Sequence, residues 1–477
     1  MPDSPDFITQ SIFNENIVQI IYFIATLLFI FGLKKMSSPP AAQKGLVWAG
    51  IGMLLAVLIT FFQYQIQSNY LWMTAALFIG GTLAYISAKK ALMTEIPQMI
   101  ALYNGLGGGA AATIAASELI KLETLSLATP DTVKYLAIAG ALVGSISFSG
   151  SLIAFAKLKG LIKSPFRLPM HQWANALVLV VAITFGIAIA LNGNQFEVTS
   201  LVLFFILSLT FGVLMTISMG DADMPVAISL FNAFTGLAVG FEGYVLANPA
   251  MMIAGLLVAA VGFKLTSSMS KAMNRPISNV LFGSVSEIDT SNASSAIANG
   301  RMKELQSNDA AAMMAFAQNI IIVPGYGMAV AQAQHKVSEM VKLLEDNGAK
   351  VKFAIHPVAG RMPGHMNVLL AETGISYDSI YDLDEINEEF KRADIVLVLG
   401  ANDTTNPAAR SDQTSPIFGM PIFNADKAKN IIVIKRGKGA GFSGIENPLF
   451  YLENTGILFG DAQSVLSNVL KDLKQIY

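Results

Sequence analysis

From its N-terminus the chain alternates long apolar runs with short polar ones, and past residue 267 the period changes. A helix needs about 20 consecutive apolar residues to cross roughly 30 Å of hydrocarbon. Runs near that length predict about nine spans: Ile17–Leu33, Gly45–Phe62, Tyr70–Ala88, Met99–Leu119, Tyr135–Ala156, Ala174–Leu191, Thr199–Ser218, Met224–Leu246 and Ala250–Ser267. The stretch before the first span holds Asp3, Asp6 and Glu15 and no basic residue, so a cleaved signal peptide is not expected. Beyond a segment rich in Ser, Asn and Ala, strand-length β-branched runs begin: Ile320–Val323, Val351–Ile355, Ile395–Leu399, Asn430–Ile434 and Ile457–Phe459. Helical patterns separate them, one running to about Asn347, and such alternation predicts an α/β doubly wound parallel sheet, Rossmann-like. The expected domains are 1–267 in the membrane, a linker at 268–307 and the sheet domain at 308–477, with Asn308 capping the helix ahead of the first strand.

Composition sharpens this division. With 53% hydrophobic residues and a mean hydropathy of +0.54, the chain is too apolar for an ordinary soluble protein. Its 13% charged content lies well under the roughly 25% of soluble domains, and that average describes neither half. Residues 1–264 carry 23 of the 64 charges, about 9%, and the remaining 213 residues carry 41, about 19%. The loops after spans 1, 3 and 5 hold Lys34, Lys35, Lys44, Lys89, Lys90, Lys157, Lys159, Lys163 and Arg167, whereas those after the even-numbered spans hold only Lys121 and Lys134. By the positive-inside rule the N-terminus lies outside and the sheet domain in the cytoplasm. A net charge of -2 gives no basis for nucleic-acid binding. Cysteine is absent, which excludes disulfides and thiol chemistry, and no His spacing suggests a metal. No paired carboxylates or Ser/His/Asp set points to hydrolysis.

Polar residues inside the spans are costly and usually face a bundle interior or a water path. Asn104 is followed by Gly105, Gly107, Gly108 and Gly109; Asn232 shares a helix face with Thr235, has Asp221 and Asp223 at its mouth, and Glu242 lies further along. Two readings stand. Either the glycines serve close helix packing and the amides bond between helices, or the set lines a proton or ion path.

In the sheet domain, Gly325-x-Gly327-x-x-Val330 follows a strand and opens a helix, the setting a dinucleotide fingerprint requires. The second strand ends Ile355-His356-Pro357, with no carboxylate for ribose hydroxyls. Arg361 and the Lys435-Arg436-Gly437-Lys438 cluster follow the strands instead, which favours NADP over NAD; the competing reading is that Lys435 and Arg436 only solvate a loop. Further loops at strand ends are Gly400–Pro407 and the glycine-rich Gly437–Gly444, and His356 and His365 flank Val358–Gly364.

The strings Gly325 to Gln334, His356-Pro357-Val358-Ala359-Gly360-Arg361, Gly364-His365-Met366-Asn367, Gly400-Ala401-Asn402-Asp403, Asp223-Met224-Pro225 and Lys271-Ala272-Met273-Asn274-Arg275 resemble the beta subunit of proton-translocating NAD(P) transhydrogenase. The resemblance covers essentially the whole chain. It implies that this chain binds NADP(H) and conducts protons, that a separate alpha subunit of one or two chains binds NAD(H), and that hydride passes from NADH to NADP⁺. It also implies a pair of alpha–beta units in a bacterial inner membrane. By the same resemblance, Gly325, Tyr326, Gly327, Met328, Ala329, Val330 and Arg361 hold the pyrophosphate region. Lys435 and Arg436 hold the 2′-phosphate, the catalytic Asp403 lies near the nicotinamide and the domain interface, Gly400 and Asn402 also bind the cofactor, and Gly437, Gly441 and Phe442 belong to the Gly437–Gly444 cover. Asn104, Asp223 and Asn232 match proton-path positions. Asn104 departs from the membrane His of many relatives, Gly437 from a Ser and Phe442 from a Tyr. Asn does not titrate near neutral pH, so the resemblance implies either that the alpha subunit's helices supply the proton-carrying His or that water takes the path past Asn104. The alternative from another class is a secondary transporter or channel gated by NADP(H); a haem-linked reductase is disfavoured because no intramembrane His pair exists.

Overall fold

The computed structural model describes residues 5–37, 41–62, 69–125, 130–162, 171–191, 198–220, 223–278, 302–362, 364–413, 415, 417–437 and 445–477. Two compact units emerge, Met1–Ser218 with Ile228–Lys264, and Met219–Ala227 with Leu265–Tyr477.

Among the described residues, nine helices are long and apolar enough to span a membrane, as the apolar runs predict. They are α1 (Pro5–Met36), α2 (Ala42–Thr60), α3 (Tyr70–Lys90), α4 (Ile96–Leu125), α5 (Asp131–Leu158), α6 (His171–Leu191), α7 (Val198–Ser218), α8 (Met224–Val245) and α9 (Pro249–Ala272). Burial separates them: 67% of the α8 window and 56% of the α5 window are enclosed, against none of α3. Hence α5 and α8 form the interior, and α3 shows every face outward.

Glycine and small residues set the helix spacing, since apolar side chains gain nothing over lipid by packing and backbone approach must supply the contact. A Cβ on Gly108 would stand 2.9 Å from the Gly144 carbonyl oxygen, and one on Gly144 would stand 2.8 Å from that of Gly108. Gly105 and Gly109 meet Ser151 and Phe148 of the same helix, α5. The packing reading of the α4 glycines therefore holds at these positions. Lys134 and Lys157, near the two ends of α5, are buried and serve as caps. Lys134 Nζ donates to the Ala190 carbonyl at the end of α6 (3.2 Å), and Lys157 Nζ donates to that of Ile217 at the end of α7 (2.8 Å). Both satisfy carbonyls that a helix C-terminus leaves open.

In the second unit, α10 (Ser307–Ala315) leads into β1 (Asn319–Pro324), α11 (Tyr326–Val330), α12 (Gln334–Asp346), β2 (Lys350–Ala354), α13 (His365–Glu372), β3 (Ile380–Tyr381), β4 (Ile395–Leu399), β5 (Asn430–Lys435), β6 (Thr455–Phe459) and α14 (Ala462–Ile476). The sheet order is β3-β2-β1-β4-β5-β6, parallel throughout, with Ile322 opposite Phe353 and Leu397, and Leu397 opposite Ile432. The doubly wound expectation is thus met. Strands β1 and β4 read as unbroken apolar runs because helices cover both faces. Val323, Val398, Val433, Phe390 and Phe423 fill one side of the sheet; Leu466, Val469, Leu470 and Leu473 of α14 are buried as well.

Two expectations change in detail. The N-cap position of α10 falls at Gln306, whose side chain makes no capping bond, and Asn308 inside the helix accepts the N–H of Asp309 (2.9 Å). The helix expected to run to Asn347 breaks after Val330, where Gln332 takes a left-handed φ of 50° and α12 starts afresh. Upstream of α10, Lys303 to Leu305 pair with Ile457 of β6, covering an edge that would otherwise be open.

Candidate functional site

The sheet order reverses between β1 and β4, and the crevice at such a point, at the carboxyl ends of the strands, is where doubly wound sheets bind ligands. Gly325 and Gly400 end those two strands. Gly325 N–H donates to the Leu399 carbonyl (2.8 Å) and Gly327 N–H to that of Gly400 (3.3 Å). A Cβ on Gly325 would sit 2.6 Å from Ala401 Cα, and one on Gly327 would sit 2.7 Å from Gly400 Cα. Gly400 itself has φ +64°, and a Cβ there would meet Gly327 N at 2.7 Å. The three glycines are thus required first by each other, because they let the turn after β1 lie against the end of β4. Met328 and Ala329 are fully enclosed beneath them, while Val330 is 39% exposed.

Tyr326 gathers the cationic groups. The Arg361 guanidinium stacks over its ring at 4.4 Å, and the His365 ring lies 6.5 Å away on a tilted plane. Burial pushes the Tyr326 hydroxyl above its ordinary range, while Arg361 and Arg436 pull it down, so both guanidiniums act on one phenol. Lys435 diverges from its neighbour, as alternate strand residues must: its Nζ lies 5.2 Å over the Phe450 ring, and burial lowers its pKa against the opposing pull of Glu446. Arg436 and Gly437 are exposed. Gly441 and Phe442 lie outside the described residues, as do Lys438 and Gly444.

Two buried imidazoles hold the loop that carries Arg361. His356 Nδ1 accepts the Val358 N–H (3.2 Å), which leaves its Nε2–H to donate to the Pro421 carbonyl (2.8 Å). His365 Nδ1 accepts the Arg361 N–H (3.2 Å), and Gly360, at φ +103°, leaves no space for a Cβ over that ring. Burial holds both imidazoles neutral by lowering their pKa values to about 4, helped at His365 by Arg361. Spacing alone could not have assigned these roles, because each depends on which ring nitrogen faces the loop.

Amides tie down the other side of the crevice. Asn402 Nδ2 donates to Asp403 Oδ1 (3.0 Å) and to the Ile445 carbonyl (3.5 Å). Asn406 Nδ2 reaches the Glu446 carbonyl (3.2 Å), and Asn447 Nδ2 reaches that of Asn402 (3.0 Å). Asn406 and Asn447, absent from the sequence-based candidates, therefore bind the 400–407 loop to the chain at 445–447.

In the membrane helices a second polar cluster joins α4, α5 and α8. Thr235 Oγ1 donates to the Asn104 carbonyl (3.0 Å) and lies 2.7 Å from Ser147 Oγ, which also donates to the Phe231 carbonyl (2.9 Å). Asn104 Nδ2 is enclosed without a partner among the described residues. Asn232 is half-buried beside this cluster. Ser147 was missed by the sequence reading, although its signal was visible as the small-residue row Gly140, Gly144, Ser147, Ser151 along α5. Asp223 is 4% exposed, and Arg275 Nη1 bonds both its oxygens at 2.9 and 3.1 Å; the two residues fall in the same compact unit.

Fold and site together define a multi-pass membrane protein that carries a dinucleotide-type parallel sheet domain. The family description "NAD(P) transhydrogenase beta subunit" matches residues 18–472. A Rhodospirillum rubrum protein named NAD(P) transhydrogenase subunit beta is 41% identical over 464 residues, covering 96% of this chain and 99% of its own, and a second sequence of that name from the same species gives the same figures. This chain belongs to the NAD(P) transhydrogenase beta subunit family.

Proposed function

We propose that the chain binds NADP(H) at the β1–β4 crevice and conducts protons through the α4–α5–α8 cluster. Together with an alpha subunit that binds NAD(H), it would transfer hydride from NADH to NADP⁺, coupled to proton movement across a bacterial inner membrane. The observation that carries the nucleotide half is the stacking of Arg361 on Tyr326, with Arg436 in electrostatic range of the same phenol, combined with a β2 end that offers His356 where an NAD site places a carboxylate. Guanidinium groups suit phosphate because they present paired donors in a fixed plane. On this reading Asp403 stands at the nicotinamide end and the amide ties at 445–447 govern access. Sheet domain and basic loops face the cytoplasm, and two alpha–beta units assemble.

Coupling is conformational on this reading: two sites bias one two-state element, since no electron carrier is implied between them. The test is hydride transfer from NADH to NADP⁺ by the chain with its alpha partner in sealed vesicles, read together with internal pH. Hydride transfer without proton movement would refute the coupling. Proton movement gated by NADPH without an NAD-binding partner would instead favour a gated transporter.

A further inference from the structure

We infer that Glu242 is the titrating group of the α4–α5–α8 column, a carboxylic acid that takes up and releases the proton Asn104 cannot carry. The inference rests on the proton-conducting reading above. Glu242 is 0% exposed, and both its carboxylate oxygens lack a hydrogen-bond partner among the described residues. An unpaired anion so placed in hydrocarbon is far too costly to persist, so the group is held as the neutral acid. The fold makes room for it: a Cβ at Gly140 of α5 would collide with Glu242 Oε1.

Its position belongs to the column. Glu242 follows Thr235 by seven residues on α8, and Gly140 precedes Ser147 by seven on α5. Seven residues are two helical turns, so the Glu242–Gly140 contact repeats the Thr235–Ser147 contact on the same faces about 10 Å further along. On α4, Glu118 lies in electrostatic range of Glu242 and is itself paired with Lys121. The ionisable groups before Gly140 on α5 are the exposed Tyr135, Lys134, whose Nζ donates to Ala190, and Asp131. Neither α7 nor α9 up to Gly262 carries an ionisable side chain, and α8 carries Glu242 and the exposed Tyr244. Proton release breaks the carboxyl O–H bond and passes H⁺ to water at the end of α8 away from the basic loops; uptake reverses it.

The test uses the full chain with its partner in lipid. Infrared difference spectra across a pH step should show a carboxylic-acid carbonyl band in the wild type that Glu242→Gln lacks and Gly140→Ala shifts. Glu242→Gln, matched in shape and unable to titrate, should reduce proton-linked turnover by an order of magnitude or more while NADPH binding stays unchanged. Wild-type proton movement in Glu242→Gln, or persistence of the band, overturns the inference. Should the wild-type complex itself move no protons, the proposed function falls, and the infrared band still decides whether Glu242 carries one.

Discussion

The crevice of the sheet domain and the column of the membrane helices solve one steric problem in two solvents. In each, backbones meet through glycine: Gly325, Gly327 and Gly400 at the switch point, and Gly108 with Gly144 between α4 and α5. They differ in what polar groups do beside those glycines. Water lets the crevice keep Arg436 exposed and stack Arg361 on a phenol. Hydrocarbon allows the column only neutral hydroxyls, amides and a carboxyl that its surroundings keep protonated. Charge is thus kept at the crevice, and on the proposed function it is handled one proton at a time in the column.

The largest expected effect breaks the shared feature. Gly400→Val adds a branched side chain where even a Cβ meets Gly327 N at 2.7 Å and the backbone sits at φ +64°. Overpacking and left-handed strain together should cost about 4 kcal/mol or more. Loss of the sheet domain's thermal transition in the purified full chain, with NADPH binding abolished, would be the readout. Retention of wild-type binding would mean the turn can move away from β4.

Acidification is next in size, and in the crevice it acts through two imidazoles. Burial lowers the pKa values of His356 and His365 from the ordinary 6.5 to about 4, so between those limits the unfolded chain binds more protons than the folded one. Their neutral bonding is fully available above pH 6.5 and is lost as the pH falls toward 4. At about 1.4 kcal/mol per unit, each imidazole contributes on the order of 3 kcal/mol to that loss. Thermal unfolding between about pH 7.5 and pH 5 should show the drop. His365→Asn, which keeps an acceptor near Nδ1 and does not titrate, should remove roughly half of it; an unchanged drop would show that the His365 ring is not held neutral.

A smaller effect sharpens the role of charge. Arg436→Ala should weaken NADPH binding by about 2 kcal/mol, roughly thirtyfold, and leave NADH nearly unaffected, since a charged hydrogen bond to phosphate contributes about that much. Titration calorimetry with both nucleotides decides it, and equal losses would contradict the 2′-phosphate assignment.

How much of this could be read from the sequence follows from what fixes each feature. The apolar runs mark the helices because the bilayer requires length and composition, and both are linear properties. The crevice was legible in outline because Gly325-x-Gly327 and Gly400 are forced by backbone contact, and backbone contact leaves glycine behind. Strand β3 escaped because Ile380 and Tyr381 lie between acidic residues and make a ladder of only two. Lys134 and Lys157 read as loop charges marking a side of the membrane, yet each also caps a neighbouring helix, a partnership across more than 50 residues that local pattern does not encode. Arg275 was quoted within a motif but not assigned to Asp223 for the same reason: the ion pair exists only once the chain has returned through α9.

The smallest effect falls in the column, and there the hydroxyl of Ser147 is the probe. It links the Phe231 carbonyl to Thr235, while Thr235 still has the Asn104 carbonyl as an acceptor. Ser147→Ala therefore strands no buried donor, and its stability cost should be about 1 kcal/mol or less, the usual size of a hydrogen bond between membrane helices. Proton-linked turnover should fall further than that cost accounts for if, as proposed, the hydroxyl is the step between α5 and α8 on the way to Glu242. Thermal melting in detergent beside turnover in vesicles separates the two quantities. If both change only in proportion to stability, Ser147 is packing alone, and the column differs from the crevice in solvent but not in purpose.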